Sequence, residues 1–312
     1  MSQNPTSIED RSAIAFGLGA VALWSTVATA FEIALDHVTP LQLLWLASLF
    51  SWILLSLVAG FQGTISSRPK RDWIRALVAG LLNPVGYYLM LFAAYDRLPG
   101  QEAMALNYTW ALAMALLAVP MLGHALRRVD LVAALIAYAG VWTIATRGQI
   151  LQVQFANAQG VGFAIGSTLL WAFYWLLSAR DPRPPLLSQW QNFTVAVPVL
   201  TVIVVKTHSW QDIGSIGVWS SLYVGLCEMG IAFLLWQEAV RRTTTTARIA
   251  NLIFLSPPVS LLLLYWVRGE ELTPSTLVGL ALILGGLTLQ NLCKRESQAA
   301  KSSKPVEPSH SC

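Results

Sequence analysis

The chain has 312 residues, of which 55% are hydrophobic and 12% are charged, whereas about a quarter of the residues in soluble domains are charged. This composition indicates an integral membrane protein. The net charge of +4 does not indicate nucleic acid binding, because the basic residues lie in short loops between apolar runs. The three cysteines, Cys227, Cys293 and Cys312, are far apart, so neither a disulfide framework nor a zinc site is predicted.

Ten apolar segments, each of about the 20 residues that cross a hydrocarbon core, follow one another along the chain. Proline, glycine and charged residues mark the breaks between them. The residues after Arg295 are rich in Ser, Lys and Pro, so we predict a disordered cytoplasmic tail at 296–312. The predicted membrane spans cover residues 12–33, 40–60, 73–94, 99–121, 129–147, 159–178, 186–206, 216–238, 246–266 and 274–293.

The distribution of lysine and arginine predicts the orientation of these spans, because cytoplasmic loops are enriched in both residues. If the N-terminus is cytoplasmic, sixteen of the 20 basic residues lie inside. The remaining four, which lie outside, are Arg97, Arg147, Lys206 and Arg268. We therefore predict ten spans with both termini in the cytoplasm.

The two halves of the chain resemble each other at an offset of 145–147 residues. The matches include Gly19 and Trp24 with Gly166 and Trp171, and Gly80-Leu81 with Gly225-Leu226. Because five spans separate the copies, the second copy is inverted relative to the first, as in many secondary transporters. We predict one five-helix repeat at 1–148 and another at 149–295, the alternative being chance matches between Gly- and Leu-rich helices.

Three short motifs carry a resemblance to a known family. The Leu-Trp elements at Trp24 and Trp171, and the Gly-Glu-Glu-Leu-Thr turn at 269–273, resemble the drug/metabolite transporter superfamily with EamA-type repeats. Within it, residues 23–26 (Leu-Trp-Ser-Thr) and 107–110 (Asn-Tyr-Thr-Trp) are similar to those of aromatic amino acid exporters. Ala111 stands where the resemblance leads us to expect proline, which predicts a straighter fourth helix.

This resemblance covers essentially the whole chain and implies a fold class. The expected fold is an all-α integral membrane protein, with ten transmembrane helices arranged as two inverted five-helix repeats around a central cavity. The expected location is the bacterial inner membrane. Neither a cofactor nor a metal is expected, and the partners are a small-molecule substrate and membrane lipid. The sequence leaves both a monomer and a homodimer open.

Polar and aromatic residues recur near the middle of the predicted spans, where an unpaired polar group costs several kcal/mol as a rough estimate. Asn107 shares a helix face with Trp110, and Asn83 shares one with Tyr87. Such faces suit a zwitterion, because amides and hydroxyls bind its charged groups while aromatic rings pack its side chain. The predicted substrate-binding residues are Trp24, Asn83, Tyr87, Tyr88, Asn107, Tyr108, Trp110, Trp171, Trp175 and Asn251.

Each of these residues also has a structural interpretation. A tryptophan in the middle of a span often packs helices together, and Asn83 or Asn107 could join helices without touching substrate. Glu228, a carboxylate near the middle of a span, is a candidate coupling residue or ammonium partner, or else a neutral carboxyl held by a neighbouring helix. The tryptophans near span ends are interpreted as interfacial anchors; these are Trp73, Trp210, Trp219 and Trp266.

The sequence therefore predicts a secondary exporter of aromatic, or more broadly neutral, amino acids that works by alternating access. A run of the Walker type is absent from the sequence, so ATP hydrolysis by this chain is excluded. An exporter of drugs or other metabolites is the alternative within the same class. An intramembrane enzyme is a remote alternative, because the sequence contains neither H-E-x-x-H nor G-x-S-x-G and offers no catalytic residue.

Overall fold

A computed structural model describes residues 5–65, 69–122, 128–151, 157–178, 180–210, 212–242 and 252–302. Every regular element within these ranges is helical. The helices are α1 (Pro5–Leu35), α2 (Pro40–Phe61), α3 (Lys70–Gly80), α4 (Tyr87–Tyr95), α5 (Gly100–Asn107), α6 (Trp110–Leu122), α7 (Arg128–Ala145), α8 (Ala158–Ser178), α9 (Pro185–Lys206), α10 (Ser215–Tyr223), α11 (Phe233–Arg242), α12 (Ser256–Leu263) and α13 (Pro274–Ser302).

Short irregular helical segments link some of these helices. A π-helical segment at Leu81–Gly86 joins α3 to α4, and a second at Val224–Ala232 joins α10 to α11. A 3₁₀ turn at Ile253–Leu255 precedes α12, and a third π-helical segment at Leu264–Arg268 follows it. Within the first of these segments Asn83 leaves helical geometry, with φ −144° and ψ 118°. Wide turns of this kind often occur at functional sites.

Six helical stretches in the described residues are long and apolar enough to cross a membrane. Each has at least the roughly 20 residues that a hydrocarbon core requires. Two shorter apolar stretches, Leu135–Ile144 and Pro274–Gly286, lie in α7 and α13. The protein is therefore a multi-pass integral membrane protein. The six stretches are Arg11–Leu35, Pro40–Phe61, Lys70–Tyr95, Ala158–Ser178, Pro185–Lys206 and Ser215–Ala239.

The fourth predicted span differs from the expectation of a straighter helix, because it consists of two helices, α5 and α6. The break lies at Tyr108 and Thr109, where the Thr109 N–H and hydroxyl both donate to the Leu106 carbonyl, at 3.1 and 2.8 Å. These local bonds occupy a carbonyl that would otherwise accept from one turn further along the helix. The helix therefore breaks at Thr109 although position 111 is alanine and not proline.

The C-terminal helix also extends further than the sequence predicts. Helix α13 continues to Ser302, so residues 296–302 of the tail predicted to be disordered are helical. This stretch reads Glu-Ser-Gln-Ala-Ala-Lys-Ser, and most of these residue types have high helix propensity. Residues 303–312 lie outside the described residues.

The packing of the helices leaves an interior space between both halves of the chain. Helix α1 packs against α11, α12 and the second π-helical segment, while α4 and α6 pack against α8. Helix α2 lies along α9, and α7 lies along α13. Large aromatic side chains fill much of the core, including Phe31, Tyr88, Phe92 and Phe193, each at most 2% exposed.

Candidate functional site

A central cavity of about 170 Å³ is lined by residues of α1, α4, α5, α6, α8, α11, α12 and the second π-helical segment. Its wall is largely aromatic and apolar, with a few polar groups, which is the usual composition of a small-molecule site. Eight of the eleven side chains predicted for the site line this cavity. They are Trp24, Tyr87, Asn107, Tyr108, Trp110, Trp171, Trp175 and Glu228.

The other three predicted residues do not line the cavity in the described structure. Tyr88 is 1% exposed and lies behind the cavity wall. Asn83 is 3% exposed within the first π-helical segment, and its Oδ1 atom lacks a hydrogen-bond partner among the described residues. Asn251 lies outside the described residues.

Several cavity residues were absent from the sequence prediction. Tyr95 and Leu91 continue the helix face of Tyr87 at four-residue spacing, so the periodicity of α4 could have identified them. Trp236 and Ser260 reach the cavity from α11 and α12. No local signal distinguishes these two residues, because their position depends on how distant helices pack.

Aromatic rings form a connected cluster along the cavity wall. Trp171 stacks on Tyr87 with ring centroids 4.3 Å apart and an interplanar angle of 26°. Phe233 forms T-shaped pairs with both Trp171 and Trp24, at 5.7 and 5.9 Å between centroids. Trp236 lies 5.2 Å from Trp24. Such offset and edge-to-face arrangements are the favoured geometries for aromatic pairs, and they join α1, α4, α8 and α11.

Glu228 is the carboxylate on the cavity wall, and it is 7% exposed. Its Oε1 atom accepts a hydrogen bond of 3.0 Å from the Tyr88 hydroxyl. Its Oε2 atom is buried and has no hydrogen-bond partner among the described residues. Since buried polar atoms are nearly always paired, the second oxygen is a candidate acceptor for a bound molecule.

Further hydrogen bonds fix the orientation of the Asn107 amide and the Ser260 hydroxyl on the cavity wall. The Asn107 Nδ2 atom donates to Ser167 Oγ at 3.2 Å, and that hydroxyl donates to the Ala164 carbonyl at 2.7 Å. The Ser260 hydroxyl donates to the Ser25 carbonyl of α1 at 2.8 Å. The Asn107 bond joins α5 to α8, so this residue both links helices and faces the cavity.

One end of the helix bundle is held by a network of charged residues around Arg268. The Arg268 guanidinium donates to the Asp36 carboxylate at 2.6 and 3.2 Å and lies 3.6 Å from Glu32. Hydrogen bonding to Asp36 raises the pKa of Arg268. The Glu270 carboxylate accepts from the backbone N–H groups of Gly100 and Gln101, at 2.9 and 3.2 Å, and thereby caps the start of α5.

A second ionic cluster lies in the turn between α8 and α9. Arg183, 6% exposed, donates from Nε to both oxygens of Asp181 at 3.0 Å. It also donates to Gln191 at 3.0 Å and to the Asp72 carbonyl at 3.2 Å. Burial raises the pKa of Asp181, but hydrogen bonds and charge from Arg183, with a bond from Ser188, outweigh burial and leave the pKa below its ordinary value.

Comparison with known proteins identifies relatives along nearly the whole chain. The EamA-like transporter family matches residues 11–146 and 158–292. A protein of Ancylobacter novellus named aromatic amino acid exporter YddG is 28% identical, over 91% of this chain and 98% of that protein. A protein of Streptantibioticus cattleyicolor named probable terminal-alkyne amino-acid exporter is 24% identical, over 87% of this chain and 90% of its own length.

Two further similarities agree with these relatives. A Salmonella typhimurium protein named probable amino-acid metabolite efflux pump is 25% identical, over 91% of this chain and 96% of that protein. A solved crystal structure superposes with a TM-score of 0.64 at 25% identity, over 90% of this chain and 99% of that chain. Since the family matches cover most of both halves, the chain belongs to the EamA-like transporter family.

Proposed function

We propose that the protein is a secondary exporter of aromatic, and more broadly neutral, amino acids that works by alternating access. The observation that carries the proposal is the central cavity, whose aromatic wall contains an amide and a carboxylate. The similar proteins named as exporters of amino acids or their metabolites support the same substrate class.

The cavity chemistry fits an amino acid zwitterion in three ways. The rings of Trp24, Tyr87 and Trp171 provide flat apolar surfaces for a side chain, where stacking contributes about 0.5–1.5 kcal/mol per pair beyond buried area. Glu228 offers an acceptor for the ammonium group. Asn107 offers amide groups for polar contact with the substrate.

We also propose that the fold consists of ten spans in two inverted repeats, residues 1–148 and 149–295. Contacts between helix backbones support this arrangement. A Cβ added to Gly80 would collide with the Asn192 carbonyl, and one added to Gly225 would collide with the Ala47 carbonyl. At an offset of 145, residues 47 and 80 correspond to residues 192 and 225. Each contact is therefore the equivalent of the other, with the first and second halves of the chain exchanging roles.

Hydrogen bonds follow the same exchange. Trp45 Nε1 donates to Thr201 at 3.0 Å, and Trp190 Nε1 donates to Ser56 at 3.0 Å. These residues again correspond at an offset of 145. The first and second π-helical segments also correspond at this offset, which makes Asn83 the counterpart of Glu228. Reciprocal contacts of this kind are those expected of two halves related by a pseudo-two-fold axis, and the odd number of spans per half implies inversion.

The distribution of basic residues supports an orientation with both termini in the cytoplasm, and the bacterial relatives support the inner membrane as the location. In this orientation the network around Arg268 lies on the outer side, where it joins the end of α1 to the turn before α13. The turn between α8 and α9, with Arg183 and Asp181, then lies on the cytoplasmic side.

The test is uptake of labelled phenylalanine, tryptophan, threonine and leucine into liposomes that contain the purified chain. Saturable uptake of at least one amino acid is expected. Asn107→Ala and Trp171→Ala should reduce it by about five- to thirtyfold, since each removes a contact worth about 1–2 kcal/mol. Trp219→Ala is a matched control, because Trp219 is 69% exposed and lies away from the cavity.

Failure of all four amino acids to enter would contradict the proposed substrate class. Uptake of another metabolite or a drug by the same liposomes would then favour the alternative exporter of the same family. Equal loss of activity in Trp219→Ala and Trp171→Ala would contradict the assignment of the cavity as the substrate site.

A further inference from the structure

We infer that the cavity recognises the ammonium group of its substrate more strongly than the carboxylate, so that aromatic monoamines without a carboxylate form a second substrate class. This inference rests on the proposed function in one respect, namely that the cavity binds substrate. It goes beyond that function because monoamines are not amino acids.

The first support is the charge of the cavity wall. Among the described residues that line the cavity, Glu228 is acidic and none is lysine, arginine or histidine. A cationic group placed there meets an opposite charge, and a cation near a carboxylate favours the ionised form of that carboxylate. An anionic substrate would instead meet only a like charge. The wall therefore selects for positive charge.

The second support is the unequal hydrogen bonding of the two Glu228 oxygens. Tyr88 donates to Oε1 at 3.0 Å, whereas Oε2 has no partner among the described residues. A buried acceptor without a partner costs free energy until it is bonded. A primary ammonium carries three N–H donors, so one of them can complete the hydrogen bonding of Oε2 in a charge-assisted bond.

The donors available for a substrate carboxylate are weaker. Asn107 Nδ2 already donates to Ser167 at 3.2 Å, although an amide nitrogen carries a second hydrogen. Trp175 Nε1 is buried and has no partner among the described residues. The tyrosine hydroxyls and the other tryptophan N–H groups that line the cavity are also neutral donors, and hydrogen bonds between a neutral donor and a carboxylate lack the ion-pair attraction that an ammonium finds at Glu228. Loss of the carboxylate should therefore affect binding less than loss of the ammonium.

The third support is the aromatic surface close to the acid. Tyr88, which holds Glu228, has its ring centroid 4.7 Å from that of Tyr87, and Tyr87 stacks on Trp171. An arylalkyl amine has an aromatic ring and an ammonium group separated by a short chain. Its ring can stack on this cluster while its ammonium reaches Glu228, and the faces of the wall rings add cation–π attraction.

The experiment compares three compounds that share a phenyl ring in liposomes containing the full chain. They are labelled phenylalanine, labelled 2-phenylethylamine, which lacks the carboxylate, and 3-phenylpropionate, which lacks the ammonium. Measurements are made near about pH 7.5, where an alkyl amine is still almost fully protonated, and protein-free liposomes give the passive background. Saturable uptake of 2-phenylethylamine is expected. 3-Phenylpropionate should inhibit phenylalanine uptake at least about tenfold more weakly than 2-phenylethylamine does.

Two variants assign the effect to a residue. Glu228→Gln should reduce amine uptake by about tenfold or more and phenylalanine uptake by less, since phenylalanine retains its carboxylate contacts. Glu271→Gln is the matched control, because Glu271 is exposed and does not line the cavity. Gln101 donates to the backbone carbonyl of Glu271, which the substitution leaves in place. If Glu228→Gln does not yield folded protein, the wild-type comparison of amine with acid decides the inference alone.

Each outcome separates this inference from the proposed function. Phenylalanine uptake without uptake of, or competition by, the amine overturns the inference and leaves the amino acid exporter intact. Equal competition by 3-phenylpropionate and the amine also overturns it. Amine uptake without uptake of phenylalanine or of the other three labelled amino acids supports the inference and contradicts the amino acid proposal. If neither the amine nor any of the four labelled amino acids enters, both the inference and the amino acid proposal are contradicted.

Discussion

Adjacent glycines in α13 should respond in opposite ways to alanine. A Cβ added to Gly286 would lie 2.6 Å from the Ala133 carbonyl oxygen of α7 and 3.1 Å from the Ala137 Cβ. Non-bonded carbon and oxygen atoms approach only to about 3.3 Å, so the two helices would have to separate by several tenths of an ångström. A Cβ added to Gly285 meets no described atom within 4 Å.

The expected difference in the free energy of unfolding follows from comparing the two variants. Alanine at either position gains about 0.5–1 kcal/mol of helix propensity. Overpacking at Gly286 costs about 1–3 kcal/mol. The propensity gain cancels in the difference, so Gly286→Ala should be less stable than Gly285→Ala by about 1–3 kcal/mol, which is roughly 2–6 °C in apparent Tm at about 2 °C per kcal/mol.

The assay is thermal unfolding of both variants and the wild type in one detergent, followed by tryptophan fluorescence and by the monodisperse fraction after heating. Gly285→Ala should equal or exceed the wild type, and Gly286→Ala should fall below both. Equal apparent Tm values for the two variants would refute the close approach of α7 and α13. Loss of stability in Gly285→Ala alone would reverse the assignment of the packed face.

Two further predictions concern the charged residues at the helix ends. Glu270→Gln should lower stability by about 0.5–1 kcal/mol, because the carboxylate caps α5, whereas the matched change Glu271→Gln should leave the apparent Tm unchanged; equal effects would contradict the cap. The depressed pKa of Asp181 means that its stabilising contribution is complete above the unfolded value near about 3.9 and is lost as pH falls through the lower folded value. Asp181→Asn should therefore have a lower apparent Tm than the wild type at neutral pH. That gap should close as pH falls below about 4, and a gap independent of pH would refute the ionic role.

The adjacent residues Tyr87 and Tyr88 show where sequence reasoning stops. Both were predicted to bind substrate, yet Tyr87 lines the cavity while Tyr88 bonds to Glu228 behind the wall. A π-helical segment with a non-helical Asn83 precedes them, and a wide turn shifts the direction of every later side chain relative to the earlier helix. Regular periodicity therefore cannot predict which tyrosine faces the cavity.

The sequence by itself determined the class of the protein, the positions of the six membrane-capable helices found in the described residues, and most of the aromatic cavity residues. It could do so because a bilayer demands about 20 apolar residues per span and internal backbone hydrogen bonds, and these are local requirements. The tertiary structure alone decided the pairing of Glu228 with Tyr88 and the positions of Trp236 and Ser260 on the cavity wall. These features bring together residues that are far apart in the chain, and such contacts depend on how whole helices pack against one another.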